Sequence, residues 1–217
     1  LFPSAEKAYE VLDGPIGQEL LDRLSEVNLK GLAYAERGFR NLTNSERPVR
    51  GPEDIDGLKI RVMENPVYID TFRELGADAI PMAWTEALTA MQQGTIDGQE
   101  NPVGVVYSFK LNETQTNMTM TRHSYAPAIF VMGMPVWQKL SPEAQEIVVQ
   151  AAQDAAEYER ALNAEQQSEQ LQALRDSGME IVDDADLSAF SEAVAPVYEK
   201  YGAKFGDYLT RIQSALK

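Results

Sequence analysis

LKIRVMENPVYIDTFRELGADAIPMAWTEALTAMQQGTIDGQENP, residues 58–102, decides the fold class. Its opening LKIRV alternates apolar and basic side chains, the period of two that marks a strand. Asn65-Pro66 follows, and proline is favoured in the first turn of a helix, where its missing N–H would be unpaired anyway. That helix is expected to run to Leu75 and to stop at Gly76. AIPM, 79–82, reads as a short strand and residues 84–93 as a second helix, stopped by Gly94. Strand, helix, strand, helix in that order is the pattern of an α/β domain. IDGQENP, 96–102, reads as a polar turn at Asp97-Gly98, with Asn101-Pro102 opening the next helix.

Upstream, residues 4–12 and 16–27 carry helical patterns, the second with Ile16, Leu20, Leu21, Leu24 and Val27 on one face and Asn28 as its stop. Residues 29–42 are extended, with a break near Gly38 and an end at Thr43-Asn44-Ser45. Residues 48–57 form a polar connector. Downstream, 104–109 is a short helix, and 118–123 and 128–134 are two strands, the second apolar enough to be buried. Ser141 is a good N-cap and Pro142 fits the first helical position of a helix predicted to continue to Asp176. At 1.5 Å per residue it would span roughly 50 Å, more than one small domain. It therefore bridges two lobes or is kinked. MEIVD, 179–183, is a strand, Asp186 caps the next helix, and residues 202–217 are helical.

The composition excludes several functions. The net charge is −15, from 34 acids against 19 lysines and arginines, and no basic cluster stands out, so nucleic acid and anionic membrane are poor partners. An anion site must then rest on local arginines and backbone donors rather than on bulk attraction. The absence of cysteine removes disulfides and thiolate metal sites, and a single histidine, His123, makes a His-rich zinc site or a Ser-His-Asp hydrolase improbable. No apolar run reaches the roughly 18 residues that span a bilayer. Asp183, Asp184 and Asp186 lack the glycine and distal glutamate of a calcium loop and read as a helix cap with solvated acids. No metal and no cofactor is expected.

Two arginines fall where an α/β sheet binds its ligands, outside the carboxyl ends of strands. Arg61 lies in KIRV, just before the Met63-Glu64-Asn65-Pro66 turn, and Arg40 follows Gly38-Phe39. A guanidinium there offers a planar fork that matches a carboxylate, and the helix start at Asn65 adds N–H groups and positive partial charge. A lone strand arginine is nevertheless more often a surface or ion-pair residue. Trp84 at a helix start can wall a pocket or pack in the core. His123 can donate to an anion or be a satisfied structural histidine. Asn101 can cap a helix or meet a ligand. Spacing alone does not choose.

The stretch 57–103 resembles the core signature of the solute-binding proteins of TRAP transporters, the tripartite ATP-independent periplasmic systems. The G-[LM]-K-[IL]-R strand, the LGA…P-M strand and AL…G-x-[IV]-DG-x-EN-P all occur in order. GFRNLTNSERPV upstream and WQKLSPEAQEIVVQAA downstream extend the likeness. The resemblance implies an α/β, periplasmic-binding-protein-like fold of two lobes that close on an organic acid, with a long helix bridging them. It implies a ligand set of Arg61 on the carboxylate, Arg40 beside it, Asn101 donating, Trp84 at the aromatic position, and Glu64 and Asn65 in the turn. His123 joins the set as a candidate donor. Relatives begin with an export signal and a βαβα section, so the N-terminal part of one lobe is expected to be missing here. The expected organisation is 1–35 as the remnant of the first lobe, 36–120 as the second, and 121–217 as crossover strands, bridging helix and C-terminal helices.

The implied function is capture of a C4-dicarboxylate or a sugar acid such as a uronate outside the cytoplasm, by a periplasmic, monomeric protein. Delivery would be to TRAP permease membrane subunits, with no reaction catalysed. Two rivals remain: an enzyme using Asp97, Glu100 or Glu64 as acid and base, and a ligand-sensing or protein-interaction domain built on the long helix. Paired carboxylates abound in any acidic chain, and the apolar stripe fades beyond Leu162, so neither pattern is specific.

Overall fold

Gly98–Pro102 is a strand, β4, with all five residues buried. In the computed structural model, which describes residues 1–217, β4 lies between a parallel and an antiparallel neighbour. The expected polar turn is therefore confined to the residues before it. The alternation rule failed because every side chain in GQENP is small, polar or proline, yet Gln99, Glu100 and Asn101 each bond to another side chain of the sheet.

The helices α1 (Ala5–Leu12) and α2 (Pro15–Asp22) open the chain, followed by β1 (Leu29–Asn44), β2 (Lys59–Val62), α3 (Pro66–Glu74), β3 (Asp78–Pro81) and α4 (Trp84–Gln92). After β4 come α5 (Val103–Ser108), β5 (Asn117–Gly133), α6 (Met134–Trp137), α7 (Pro142–Asp176), β6 (Glu180–Val182), α8 (Leu187–Ala193), α9 (Ala195–Gly202) and α10 (Tyr208–Ala215). The strand order is β3-β2-β4-β1-β5-β6. The chain divides into two units: residues 1–38, 124–168 and 207–217, and residues 39–123 and 169–206. Continuous β1, β5 and α7 each contribute residues to both.

In the second unit β2 runs parallel to both β3 and β4, and β1 antiparallel to β4. One face of this sheet carries Leu42, Ile60, Val62 and Ala79, packed with Val49, Ile55 and Phe72. The other presents Met118 and Met120 to Ala87, Met91, Val106 and Leu174, with Ile80 and Trp84 against them. The caps behave as the sequence suggests. Asn65 Oδ1 accepts from Val67 N at 2.9 Å, with Pro66 in the first turn, and Gly76 and Gly94 end their helices at φ of 86° and 66°. Asp186 Oδ1 caps α8 through Ala189 N at 3.0 Å.

In the first unit, Ala33 and Ala35 pack on Ala152 and Ala156 of α7, with Ala128 and Phe130 beside them. Arg160 forks onto Asp13 at 2.6 and 2.8 Å, donates to Tyr34 O and lies over the Tyr9 ring.

Several expectations needed correction. No break interrupts β1: Gly38 takes a φ of 91° within the continuous strand, and Asn44 ends it by accepting from Glu46 N and Arg47 N. The two later strands are one, β5, which passes through Arg122 at a φ of 45°. Asn41 Oδ1 receives Arg122 N at 3.1 Å, which helps hold that left-handed residue. The apolar end of β5 is not buried, since Ile129 and Val131 are 41% and 45% exposed. Residues 23–27 tighten into a 3₁₀ turn after α2, ended by Asn28 in the left-handed region. The connector at 48–57 buries Val49 and Ile55 around a 3₁₀ turn, and Gly206, at φ 62°, separates α9 from α10.

Candidate functional site

Strand register in the second unit sorts the expected site residues onto two faces. Arg61 pairs with Gln99 and Ile80, and Asn101 pairs with Asn41. These side chains share one face, because laterally paired residues in a sheet point the same way. Arg40 pairs with Pro102 and Leu42 with Glu100, which places Arg40 and Glu100 on the opposite face. Both groups lie toward the carboxyl end of β4, where open α/β sheets place their ligands.

Glu100 is the centre of the first group. It is fully buried and accepts from Arg40 Nε at 2.5 Å and Nη2 at 2.9 Å, while Arg40 Nη2 also reaches the Glu100 carbonyl at 2.6 Å. His123 Nε2 meets the same carboxylate at 3.1 Å, and its Nδ1 meets Thr121 Oγ1 at 2.8 Å. An ionised carboxylate only accepts, so the imidazole proton lies on Nε2. Burial alone would push the Glu100 carboxyl up. The hydrogen bonds from His123 and Arg40, with the Arg40 charge, outweigh that and hold it below its ordinary range. Phe72 meets the His123 ring edge-on, and Tyr68 lies against Arg40. This triad is closed: the arginine and histidine expected to face a ligand are both engaged with the protein's own acid.

Arg61 has no such partner. Its Nε and Nη2 both donate to the Met82 carbonyl, at 3.0 and 2.7 Å, and its guanidinium lies 5.5 Å from the Trp84 ring centroid. Phe109 braces Trp84 edge-on at 5.2 Å. The residue is only 5% exposed, and it forms no ion pair. Burial draws its pKa down from the ordinary arginine value, the Glu100 carboxylate acting against that shift and the Arg40 charge adding to it. An arginine stays charged throughout. Arg160, the half-buried arginine of the first unit, is by contrast matched by Asp13.

Asn101 does not cap α5, whose N-cap is Pro102 without a side-chain bond. Its Nδ2 donates to Gln99 Oε1 at 2.6 Å. Glu64 and Asn65 are exposed in the turn after β2, with Asn65 Oδ1 committed to its cap. Glu64 acts on Arg61 through its charge. The structure thus brings Arg61, Trp84 and Asn101 to one face and end of the sheet, and Arg40 and His123 to the other face. Gln99, Thr43 and Gln115, which join Asn101 in a buried chain of hydrogen bonds, were not anticipated; an unbroken polar strand next to the glycine of Asp97-Gly98 was the available signal. Asp183 and Asp184 pair with Arg175 and Arg50 at the surface.

The fold is a mixed α/β sheet that carries arginines at its strand ends. Over residues 1–204 the chain matches the family described as bacterial extracellular solute-binding protein, family 7 (DctP), and it belongs to that family. A solute-binding protein of Verminephrobacter eiseniae is 44% identical over 216 residues, 99% of this chain and 64% of that protein. The 2,3-diketo-L-gulonate-binding periplasmic protein YiaO of Escherichia coli is 41% identical over 194 residues, 89% of this chain and 59% of the relative. The crystal structure of a TRAP periplasmic solute-binding protein from Polaromonas sp. JS666, bound to D-erythronate, superimposes with a TM-score of 0.93 at 40% identity, covering 99% of this chain and 70% of that one. The chain thus spans less than two thirds of the length of these two curated relatives. No helix is long and apolar enough to cross a membrane.

Proposed function

We propose that this chain captures a small hydroxylated carboxylic acid, of the sugar-acid type, for delivery to the membrane subunits of a TRAP transporter, and that it catalyses no reaction. The observation that carries the reading is the Arg61 guanidinium: buried, charged and without a carboxylate partner. Leaving a buried charge unpaired is costly, and an arriving carboxylate removes that cost while gaining charge-assisted hydrogen bonds. Nη1 makes no hydrogen bond within the protein, while Nε and Nη2 share one carbonyl. Trp84 offers an apolar wall beside the same cation. Arg40 and His123 support the site from behind by holding Glu100, and the turn at Glu64 and Asn65 borders it. The relatives' ligands, 2,3-diketo-L-gulonate and D-erythronate, favour a sugar acid over a plain C4-dicarboxylate. Periplasmic location and a monomeric state complete the proposal.

The test is calorimetry of the chain with D-erythronate, D-glucuronate, galactonate and succinate. One sugar acid is expected to bind, and Arg61→Ala to weaken it by about a hundredfold, since hydrogen bonds to charged groups are worth ~1.5–3 kcal/mol each and are not additive. Binding unaffected by Arg61→Ala would remove the arginine from the site. Turnover of any of these acids would overturn the binding-protein reading.

A further inference from the structure

The amides behind Asn101 form a chain whose direction is fixed at its far end. Gln115 Nε2 donates to the main-chain carbonyls of Thr114 at 3.1 Å and Asp97 at 3.4 Å. A carbonyl cannot donate, so the Gln115 NH₂ faces them and its Oε1 faces the other way. That Oε1 accepts from Thr43 Oγ1 at 3.0 Å. A hydroxyl carries one proton, so Thr43 Oγ1 must in turn accept, which it does from Gln99 Nε2 at 2.9 Å. Gln99 therefore turns Oε1 toward Asn101, and Asn101 Nδ2 donates to it at 2.6 Å. Thr43 and Gln99 are fully buried and Gln115 almost so. Reversing any one amide would set donor against donor or acceptor against acceptor, away from the water that would relieve it.

We infer that Gln115, Thr43 and Gln99 are positioning residues that lock the Asn101 amide with Oδ1 outward, so that the site accepts a hydrogen bond from a hydroxyl of the bound acid. This rests on the carboxylate-binding reading of Arg61. Asn101 Oδ1 accepts nothing from within the protein, and Asn101 is on the same face and at the same strand ends as Arg61. A hydroxyl near the carboxylate satisfies Oδ1. A methylene leaves it unpaired, and a keto oxygen, which cannot donate, leaves it unpaired as well. The relay thus converts two main-chain carbonyls, several residues behind the site, into a choice among acids of similar size and charge.

Calorimetry of the chain with matched acids tests this: D-erythronate against 3,4-dihydroxybutanoate, and malate against succinate and oxaloacetate. In whichever set binds, the hydroxy acid is expected to bind at least about tenfold more tightly than its deoxy or keto counterpart, the scale of one acceptor left unsatisfied. Thr43→Val is expected to bring that ratio within about threefold by weakening the hydroxy acid more than the deoxy acid, and Thr43→Ser to restore it. Where Thr43→Val does not fold, Gln115→Met, which removes the anchoring donor at similar volume, takes its place. Side-chain ¹⁵N–¹H spectra of the acid-free protein add an independent readout: one Asn101 Nδ2 proton is protected from exchange in the wild type and not in the relay variant. Acids that bind with a ratio near one overturn the inference and leave the carboxylate reading intact. Equal weakening of both members of a set by Thr43→Val also overturns it, because that is what a merely structural role produces. Failure to bind any acid removes the carboxylate reading and the hydroxyl preference together.

Discussion

Replacing Glu100 with glutamine removes one charge at nearly constant volume, and the structure sets the size of the effect. Glu100 Oε2 takes both Arg40 Nε and His123 Nε2, and Oε1 takes Arg40 Nη2. A glutamine can keep an oxygen at only one of these positions, so an NH₂ group must face an N–H donor at the other. Arg40 would remain buried and charged, with only the residue 100 carbonyl and one amide oxygen left to it. Breaking a buried pair by removing one partner costs roughly 3–5 kcal/mol. For a chain of this length each kcal/mol lowers Tm by about 2–4 °C, which gives a loss of roughly 6–20 °C at neutral pH by calorimetry. A change under ~1 kcal/mol would refute the claim that the triad holds this end of the sheet. A double variant, Arg40→Met with Glu100→Leu, separates the cause: replacing both charges with apolar groups should recover most of the loss, because the pair itself is worth little against a well-packed substitute. If the double variant is no better than the single one, the loss comes from packing. The pH dependence carries a sign as well. The Glu100 carboxyl is held below its ordinary value of 4.5, so its contribution is complete above that pH and disappears as pH falls through the lower, folded value. The stability gap between wild type and Glu100→Gln is therefore expected to be constant above pH 4.5 and to narrow below it.

Three smaller perturbations probe the same sheet. Gly98→Ala would place a methyl 2.2 Å from the Thr43 carbonyl and 2.9 Å from Ile60 Cδ1, so β4 must shift; a loss of at least ~1–3 kcal/mol in urea unfolding is expected, and a neutral result would contradict the strand packing. Asn65→Ala removes the cap on Val67 N and should cost about 1 kcal/mol by the same assay. Arg61→Lys keeps the charge but loses the planar fork, so sugar-acid affinity measured by calorimetry should fall by about tenfold, less than for Arg61→Ala.

The elements with strong local chemistry were legible in the sequence. The caps at Asn65-Pro66, Ser141-Pro142 and Asp186 and the stops at Gly76 and Gly94 placed α3, α7, α8 and α4 to within a residue or two, because capping is decided by neighbours in the chain. Strand β4 was missed because its burial is decided by partners far away in sequence. Gln99 is matched by Thr43, 56 residues earlier, and Glu100 by Arg40, 60 residues earlier. No window of ten residues shows that a run of amides and acids is satisfied inside a sheet. The continuity of β1 and β5 was hidden for a related reason: a glycine such as Gly38 reads locally as a strand end, yet each strand continues through a residue of positive φ, Gly38 in β1 and Arg122 in β5.

The two strand arginines show what register adds to residue type. Arg40 and Arg61 were nominated by the same argument, a guanidinium at a strand end, and nothing in their local sequence separates them. Register puts them on opposite faces of one sheet, and Glu100, on Arg40's side, is claimed by both Arg40 and His123. Arg61 feels that carboxylate only at a distance, opposed by the charge of Arg40. Glu64 also acts on it, but from an exposed position, so in a chain whose net charge is −15 Arg61 has no carboxylate bonded to it. That resolves the difficulty its composition raised. Exposed acids are screened over about 8 Å at physiological salt, whereas a buried guanidinium is screened far less, so an anion arriving at Arg61 responds to the local imbalance rather than to the sum over the surface. On the reading proposed above, an acidic protein holds an acid because one cation is kept dry and the buried carboxylate that acts on it is already bound elsewhere.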